Sequence, residues 1–514
     1  MPESPFSRPL SKPALVLLVV LPLLKLALHL AVGAGYGYHG DELYYLVCAD
    51  HLDWAYVDHP PVSIFVLAVT RLMVGQSVMA IRLVPALAGA LTVFIVGAMA
   101  RDMEGGPFAM ALAMVAVIAS PFYLFMGGYY SMNSLDVLCW AIAAWIVLRI
   151  LSGGSPRLWI LLGVVLGIGL ENKISVLWLE GGLAVGLLLT PERRLLWTRG
   201  PWLAGLISLV LAAPYAVWQF SHNFATLHFM KDAAENRVVV GPLSFFGAVI
   251  DGMSAVAAPV WIAGLVFFLI LPAGRGRRAM GWAWLAIMAV LAFSGAGKAY
   301  YAAAAFPWLL AAGGVAIERW LRTSTWPGRV LIVGYTVLIV LAIRGAAPVV
   351  LPILPQRTIA EYSLRTGAGR RVEQKRSIGK LPDFLGMMAG WDENLDSLNE
   401  VYKQLPEGDR SNTTILASFY QLASAIDVLG PARGLPAASS GHNNYWFWGF
   451  HGSWDQPLLT VGYSEASLRE LFKDVTLKGH TRCEYCGYPD MPIYLVRGVT
   501  MPPEMVWKRM QLTE

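Results

Sequence analysis

Long apolar runs recur along this chain of 514 residues. One of them, ALVLLVVLPLLKLALHLAVGAG at residues 14–35, is long enough to cross a bilayer as a helix, since about 20 apolar residues span the hydrocarbon core. Only 14% of the residues are charged, which is too few to cover the surface of an ordinary soluble protein. The sequence therefore predicts a polytopic α-helical membrane protein.

Eleven apolar windows are long enough, or nearly long enough, to be membrane spans. The first lacks a clear small-residue cleavage site, so we expect a retained span and not a signal peptide. The stretch 62–74 runs to only about 13 residues, which is short for a span and typical of a re-entrant or interfacial helix. The eleven windows lie near residues 13–33, 79–100, 107–126, 134–151, 158–171, 174–190, 201–219, 254–272, 279–296, 299–317 and 328–347.

Lys and Arg are concentrated in alternate loops between these windows. The basic set comprises the N-terminus, the turns at Arg101 and at 149–157, and the loops 191–200, 273–281 and 318–329. The opposite short loops contain only Lys173, Lys231, Arg237 and Lys298. Because cytoplasmic loops carry the excess of Lys and Arg, the N-terminus is predicted to be cytoplasmic and the first loop, 34–78, external. The net charge of +5 is thus a topology signal, and we expect no nucleic-acid partner.

The composition changes near residue 350. Residues 351–514 are as polar as a soluble domain, and short β-prone runs such as MPIYLVRG (491–498) alternate with Gly, Pro and Asn turns. We expect a membrane module over 1–350 and a soluble C-terminal α/β domain over 351–514. An odd number of spans places that domain outside the cytoplasm, in a periplasm-like space.

The ionisable residues near the ends of the spans fall mostly on the external side. Such residues are functional candidates because they must be paired or hydrated at the membrane, although each is alternatively a solvated loop residue or half of a structural ion pair. Among them, Asp50, His51 and Asp53 are expected to be solvated. The main candidates on this side are Asp41, Glu42, Asp58, His59, Asp136, Lys173, His222 and Lys298.

Several motifs in the membrane module resemble those of one enzyme family. They are GDELYYL (40–46), AYVDHPP (55–61), SLDVLCW (134–140), LGIGLENKISVLW (166–178) and PYAVWQFSHNFATLHF (214–229). In order and spacing they resemble the bacterial GT-C glycosyltransferases of the protein O-mannosyltransferase superfamily, which includes the lipid A aminoarabinose transferases. The likeness extends over about residues 35–320. It implies a protein of the bacterial cytoplasmic (inner) membrane.

The resemblance implies an inverting transfer of a sugar from a polyprenyl (undecaprenyl) phosphate to a periplasmic-side acceptor such as lipid A, a glycan or a protein. Asp41 matches the first-loop Asp of the family and is the expected general base, a role that contributes roughly 10²–10⁴-fold to a rate. Glu42 is its acidic neighbour in the same motif. Asp136 is expected as a second acid that orients the acceptor or a cation.

The leaving phosphate requires positive charge in a dry, preorganised site. Lys173, Arg237 and Lys298 are the candidate phosphate partners. Tyr300 and Tyr301 either hydrogen-bond the donor or belong to the interfacial aromatic belt. The sequence departs from the aminoarabinose transferases before Pro-Pro, where those enzymes tend to have Glu-Lys and this chain has Asp58-His59. His59 is therefore a candidate donor contact, a metal ligand, or a cap on the Pro-Pro turn.

Asp58 and His222 loosely match positions that bind a divalent ion in the aminoarabinose enzymes. Carboxylate with imidazole suits zinc or manganese, although two ligands are too few to define a site. A divalent metal is thus a candidate cofactor, and no nucleotide cofactor is expected.

Two features of the C-terminal domain have alternative interpretations. Cys483 and Cys486 form a CxxC motif that favours a local disulfide outside the cytoplasm, whereas a zinc site would need further ligands such as His480. The stretch SGHNNYWFWGF (440–450) either binds a sugar or packs between the domain and the membrane module.

Two other functions compete with transfer. A lipid or sugar transporter would place charges near the bilayer midplane, often in inverted repeats. No repeat is evident here, and the charges gather at one face. A non-catalytic sugar- or lipid-binding relative is disfavoured because Asp41, Glu42 and Asp136 are present.

Overall fold

The computed structural model describes residues 10–235, 241–294, 298–369 and 379–513. Its first part is a bundle of apolar helices. Their bounds are α1 (Lys12–Val32), α2 (Gly40–Asp50), α3 (Val62–Val74), α4 (Val78–Asp102), α5 (Pro107–Ala119), α6 (Pro121–Gly128), α7 (Met132–Leu151), α8 (Leu158–Leu170), α9 (Val176–Leu188), α10 (Arg199–Leu211), α11 (Ala213–Ser221), α12 (Ala225–Glu235), α13 (Pro242–Gly252), α14 (Ala258–Leu269), α15 (Ala279–Phe293), α16 (Pro307–Thr323) and α17 (Trp326–Val350). Short 3₁₀ helices lie at Pro191–Trp197, Ala255–Ala257, Pro272–Gly274 and Ala299–Ala305.

Each of the eleven predicted windows contains an apolar helix or part of a bent helix pair. Four of the helices, α1, α4, α7 and most of α17, are long and apolar enough to cross a membrane singly. Four windows hold all or part of a helix pair bent by 47° to 89°, and three hold the shorter apolar helices α8, α9 and α15. Helix α3, with 13 residues, is the short helix predicted at 62–74. The expected polytopic helical architecture is therefore confirmed.

Small residues allow some of these helices to approach closely. Helices α14 and α16 cross at Gly264 and Gly313. A Cβ atom added to Gly264 would lie only 1.9 Å from the carbonyl oxygen of Leu309, and one added to Gly313 only 1.8 Å from that of Val260. Such close backbone contact is typical of membrane helices, where dispersion contacts replace the hydrophobic driving force.

The polar residues inside α1 tie that helix to a break in its neighbour. Helices α5 and α6 meet at a 64° bend. The buried ammonium of Lys25 donates to the carbonyl oxygen of Tyr123 at 2.9 Å, and Nε2 of His29 lies 2.9 Å from that of Leu124. These contacts give a structural reason for two ionisable residues within a span.

The C-terminal part is an α/β domain, as predicted. Its strands form a five-stranded sheet in the order β2-β1-β3-β5-β4. Strand β1 pairs in parallel with β2 and β3, whereas β5 is antiparallel to β3 and β4. The elements are α18 (Gln356–Thr366), α19 (Asp383–Gly386), α20 (Trp391–Lys403), α21 (Glu407–Arg410), β1 (Thr414–Ala417), α22 (Tyr420–Leu429), β2 (Ala438–Ser439), α23 (Asn444–Trp448), β3 (Leu458–Val461), α24 (Glu465–Leu471), β4 (Phe472–His480), β5 (Pro492–Val499) and α25 (Pro503–Arg509), with a 3₁₀ turn at Pro431–Arg433.

This domain shares a hydrophobic core with the first loop of the membrane module. Leu43 and Tyr44 of α2 belong to the same buried cluster as Ile415 of β1, Leu422 of α22 and Ile493 of β5. The sheet therefore lies over α2, on the side of the bundle where the first loop emerges. This placement brings the C-terminal domain next to the predicted site residues.

Candidate functional site

Glu42 fixes the start of helix α2. His39 is the N-cap of this helix, and the side chain of Glu42 accepts a hydrogen bond from its backbone N–H at 2.7 Å, which completes a capping box. The same buried carboxylate accepts from the Arg82 guanidinium at 2.8 and 2.6 Å and from the Tyr130 N–H at 2.7 Å. With its oxygens occupied in this way, Glu42 has the geometry of a positioning residue for the turn that carries Asp41.

Asp41 lies one residue earlier and is partly open to solvent. Its side chain is 32% exposed, and its Oδ2 lies 3.7 Å from Nδ1 of His39. Its Oδ1 accepts hydrogen bonds from the hydroxyl of Tyr420 at 2.9 Å and from Nε2 of Gln421 at 2.7 Å. Both donors belong to the C-terminal domain. Asp41 therefore has the exposure that a general base requires, with one oxygen held by two neutral donors.

Asp58 is connected to Asp41 through aromatic side chains. The hydroxyl of Tyr44 donates to Oδ1 of Asp58 at 3.1 Å, and the Tyr44 ring lies 4.7 Å from that of Tyr420. Burial raises the pKa of Asp58 above its usual value, which the neighbouring His59 partly opposes. Burial also raises the pKa of Tyr420 well above its usual value, as do Asp41 and Asp58, so this phenol remains a donor at neutral pH.

His59 is buried next to Asp58 and Tyr44. Its side chain has no exposed area, its ring stacks on Tyr45 at 4.7 Å, and Nδ1 lies 3.0 Å from the carbonyl oxygen of Pro60. This contact within the Pro-Pro turn corresponds to the capping alternative. The predicted contact of His59 with the donor stays a prediction, and the buried ring would have to act through Asp58, 3.8 Å from its Nε2.

Asp136 and Lys173 form a second buried polar group, where α7 begins and α8 ends. Nζ of Lys173 lies 3.4 Å from Oδ2 of Asp136 and donates to Oδ1 of Asn133 at 2.8 Å. The hydroxyl of Ser175 donates to Oδ1 of Asp136 at 2.8 Å. Asp136 thus holds the lysine in place, and its expected role in orienting the acceptor or a cation stays a prediction.

The predicted tyrosines and the second lysine join this group. Nζ of Lys173 lies 4.3 Å from the centroid of the Tyr301 ring, and Nζ of Lys298 lies 5.7 Å from that of Tyr300. Aromatic faces attract such cations more strongly where water is excluded. Two cations and two phenols of the candidate set are therefore neighbours. Arg237, the third predicted cation, lies outside the described residues.

Tyr129 lies between the two polar groups. Its hydroxyl accepts from Nδ2 of Asn133 at 3.2 Å, and its ring lies 4.8 Å from that of His39. A second link runs from the backbone N–H of Met132 to the hydroxyl of Tyr45 at 3.4 Å. A chain of side-chain contacts thus links the acids of the first loop to the cations of the helix ends.

His222 belongs to a different environment. Its ring stacks on Trp218 at 3.9 Å and lies 5.9 Å from Phe447, and Trp218 in turn donates from Nε1 to Asp53 at 2.9 Å. In the part of the chain that the structure describes, no group of three or more His, Cys, Asp or Glu side chains is arranged to hold a metal ion. Asp58 and His222 alone do not make a metal site, so a divalent ion held by them stays a prediction.

The stretch 440–450 packs between the C-terminal domain and the first loop. Oδ1 of Asn444 accepts from the Val57 N–H at 2.7 Å, and the ring of Trp448 stacks on His51 at 4.4 Å. These contacts correspond to the packing alternative. His51 is exposed, as expected, although its ring makes this contact. In the same domain Cys483 and Cys486 form a disulfide.

Sequence reasoning missed Arg82, Tyr420 and Gln421. Arg82 lies within an apolar window, where a cation signals a buried partner. Asn133 was equally overlooked, although its three-residue spacing from Asp136 places both on one face of α7. No local pattern marks Tyr420 or Gln421, which reach Asp41 across 379 and 380 residues of sequence.

Known proteins show where this architecture occurs. Residues 58–218 match the family model described as dolichyl-phosphate-mannose-protein mannosyltransferase. No curated protein matches the chain in sequence.

Solved structures resemble most of the chain. The crystal structure of ArnT from Cupriavidus metallidurans in the apo state is similar with a TM-score of 0.60 and 16% identity over 94% of this chain and 97% of that one. The same protein bound to undecaprenyl phosphate gives 0.59, again at 16% identity and with the same coverage. The oligosaccharyltransferase of Archaeoglobus fulgidus in the apo form gives 0.50 at 11% identity over 80% of this chain and 63% of that one. The predicted resemblance to the GT-C glycosyltransferases is thus confirmed, and the chain has their fold.

Proposed function

We propose that this protein transfers a sugar from a polyprenyl phosphate to an acceptor outside the cytoplasm, with inversion at the anomeric carbon. The carrying observation is the arrangement of the site. A partly exposed carboxylate, Asp41, is linked through a chain of side-chain contacts to two lysines, Lys173 and Lys298, and its own hydrogen-bond donors come from the C-terminal domain.

Such an arrangement supplies the two requirements of the reaction. The acceptor oxygen attacks the anomeric carbon, and the bond from that carbon to the phosphate oxygen breaks with its electron pair going to the phosphate. Asp41 takes the acceptor's proton as the new bond forms. The lysines stabilise the charge that develops on the departing phosphate, and this stabilisation is strongest where the surroundings are dry and fixed.

The two lysines differ in how much of their charge is available. Lys173 is buried and paired with Asp136, so part of its charge is already balanced. Lys298 is half-buried beside Tyr300. We therefore assign Lys298 the direct contact with the donor phosphate. Lys173 contributes a positive electrostatic field that favours binding of the phosphate.

A lipid-linked donor is supported by the fold comparison, since a structure of the similar ArnT is bound to undecaprenyl phosphate. Helices such as α1, α10 and α17 have exposed apolar side chains, which provide a surface for the donor's lipid chain within the membrane. The charge distribution of the loops supports a cytoplasmic-membrane protein with a cytoplasmic N-terminus and an external C-terminal domain. The acceptor is a molecule on the external side of the membrane, such as lipid A, a glycan or a protein.

The decisive experiment incubates the purified full-length protein with a panel of undecaprenyl-phosphate sugars and cell-envelope acceptors. We expect release of undecaprenyl phosphate together with a glycosylated acceptor. Asp41→Asn should lower that rate at least about 100-fold without lowering thermal stability, because the amide still accepts from Tyr420 and Gln421 but cannot take a proton.

Asp50→Asn is the matched control. Asp50 is at the other end of α2, is 57% exposed and pairs with Arg71, so its variant should keep full activity. Full activity in Asp41→Asn would refute the base assignment. Absence of release with every donor, or movement of the intact donor across vesicles, would refute transfer and favour a transporter.

A further inference from the structure

The hydrogen bonds that hold Asp41 come from the C-terminal domain and not from the membrane module. Tyr420 and Gln421 are the first two residues of α22, and both donate to Oδ1 of Asp41, at 2.9 and 2.7 Å. Two fixed donors on one oxygen restrict rotation of the carboxylate. The other oxygen, Oδ2, lies 3.7 Å from Nδ1 of His39, and the Asp41 side chain as a whole is 32% exposed.

Each donor is itself held in place. The ring of Tyr420 lies 4.7 Å from Tyr44 of α2 and 5.0 Å from His442. The hydroxyl of Tyr488 donates to Oε1 of Gln421 at 3.3 Å, which turns the amide NH₂ toward Asp41. This preorganisation is the property that distinguishes a positioning contact from an incidental surface contact.

A glycine lets the domain approach this closely. A Cβ atom added to Gly40 would lie 3.0 Å from both Cδ of Gln421 and Cζ2 of Trp391, and the Gly40 N–H donates to the carbonyl oxygen of Met387 at 3.0 Å. The start of α2 is thus built to receive the C-terminal domain at the residue immediately before Asp41.

We propose that Tyr420 and Gln421 are positioning residues for the Asp41 carboxylate, so that the C-terminal domain completes the active site. This inference rests on the proposed transfer reaction, with Asp41 as its base. It gives the domain a role in the chemical step.

The test measures transfer by full-length Tyr420→Phe, Gln421→Met and the double variant. Because a small misplacement of a catalytic group lowers the rate of the chemical step steeply, we expect kcat to fall about tenfold for each and further for the double variant. The KM for the donor should not change. Gln421→Glu, whose side chain has the same shape as Gln, should lower kcat more than Gln421→Met does, because it places a second carboxylate next to that of Asp41.

Tyr402→Phe is the matched control, since its hydroxyl donates to the carbonyl oxygen of Arg410 within the same domain and away from Asp41. In an Asp41→Asn background the substitutions at 420 and 421 should not lower kcat further, because the effects of residues that act through the same group are not additive. Thermal stability is measured for every variant.

The outcomes separate the two proposals. An active wild type whose double variant keeps its kcat, or loses no more than Tyr402→Phe, overturns the positioning role and leaves the transfer reaction standing. A raised KM with unchanged kcat, or further loss in the Asp41→Asn background, overturns it as well. A wild type inactive with every donor overturns the transfer reaction, and the inference with it.

Discussion

Glu42 and Arg82 form a buried, two-pronged ion pair beneath the candidate site. Nε of Arg82 donates to Oε1 at 2.8 Å, and Nη2 donates to Oε2 at 2.6 Å. The guanidinium also donates to the carbonyl oxygens of Gly33 and Gly37, in the segment that leads into α2. One arginine of α4 therefore fixes both the entry to the first loop and the helix turn that carries Asp41.

This pair predicts an asymmetric response to mutation. Arg82→Met leaves the Glu42 carboxylate buried without its cation, which should lower the free energy of unfolding by about 3–5 kcal/mol. The double variant Glu42→Leu/Arg82→Met should lose less than Arg82→Met alone, because no buried charge remains. Chemical unfolding of the detergent-solubilised protein measures both.

The control for this prediction is Arg71→Met, which removes the partly exposed pair with Asp50. Exposed pairs contribute about 0–1 kcal/mol, so this variant should remain close to the wild type. An Arg82→Met protein as stable as Arg71→Met would contradict a structural role for the buried pair.

Replacing each of the two lysines by methionine should have different effects on stability and transfer. Lys173→Met removes the partner of the buried Asp136, so both thermal stability and transfer should fall. Lys298→Met should weaken the contact with the donor phosphate, which raises KM or lowers kcat while thermal stability is kept. Steady-state kinetics and thermal unfolding of the same preparations measure the difference.

A double variant tests the assignment of Lys173 further. Lys173→Met/Asp136→Leu removes both buried charges and should recover stability without recovering transfer. Recovery of the transfer rate along with stability would show that Lys173 serves the fold alone.

The sequence predicts what depends on local pattern. Apolar windows of sufficient length predict the helices of the bundle because lipid forces each segment to satisfy its own backbone hydrogen bonds. The motif at 40–46 likewise marks Asp41, since an acid cluster after a first span is unusual. The candidates Asp136 and Lys173 are each recognisable as polar residues at helix ends.

Partners set by tertiary packing are not predictable in this way. Glu42 resembles a catalytic neighbour in the sequence, and only the approach of Arg82 on α4 shows that its oxygens are occupied. Tyr420 and Gln421 belong to a different domain, in a segment without any polar motif. The role of 440–450 was equally open, because aromatic residues serve sugar binding and packing alike.

Asp427 in the C-terminal domain predicts a pH dependence of stability. Its carboxylate accepts from the Ala438 N–H at 2.7 Å and from the Tyr445 hydroxyl at 2.6 Å, but burial raises its pKa above the usual 3.8. The folded state therefore keeps this proton to higher pH than the unfolded state does. Its contribution to stability is present below the unfolded pKa and is lost as the pH rises through the folded pKa.

Asp427→Asn should remove this dependence because an amide does not ionise. Its oxygen can still accept from the Ala438 N–H, and its NH₂, which replaces Oδ2, can donate to the Tyr445 hydroxyl. The apparent Tm of the wild type, relative to that of the variant, should fall as the pH is raised from about 4 to about 7. Thermal unfolding at a series of pH values measures the difference. A difference that stays constant or grows with pH would contradict the raised pKa.

The proposed orientation is open to a direct test with alkaline phosphatase, an enzyme that needs disulfides and so is active only outside the cytoplasm. Fused after residue 514 it should be active, and inserted after Gly276, in the loop that contains Arg275, Arg277 and Arg278, it should be inactive. The reason is the excess of basic residues in that loop, together with the Cys483–Cys486 disulfide of the C-terminal domain. Equal expression of the two fusions is checked by immunoblot. Activity at the loop and none at the C-terminus would invert the topology and place Asp41 in the cytoplasm, because the first loop packs against the C-terminal domain and must share its side.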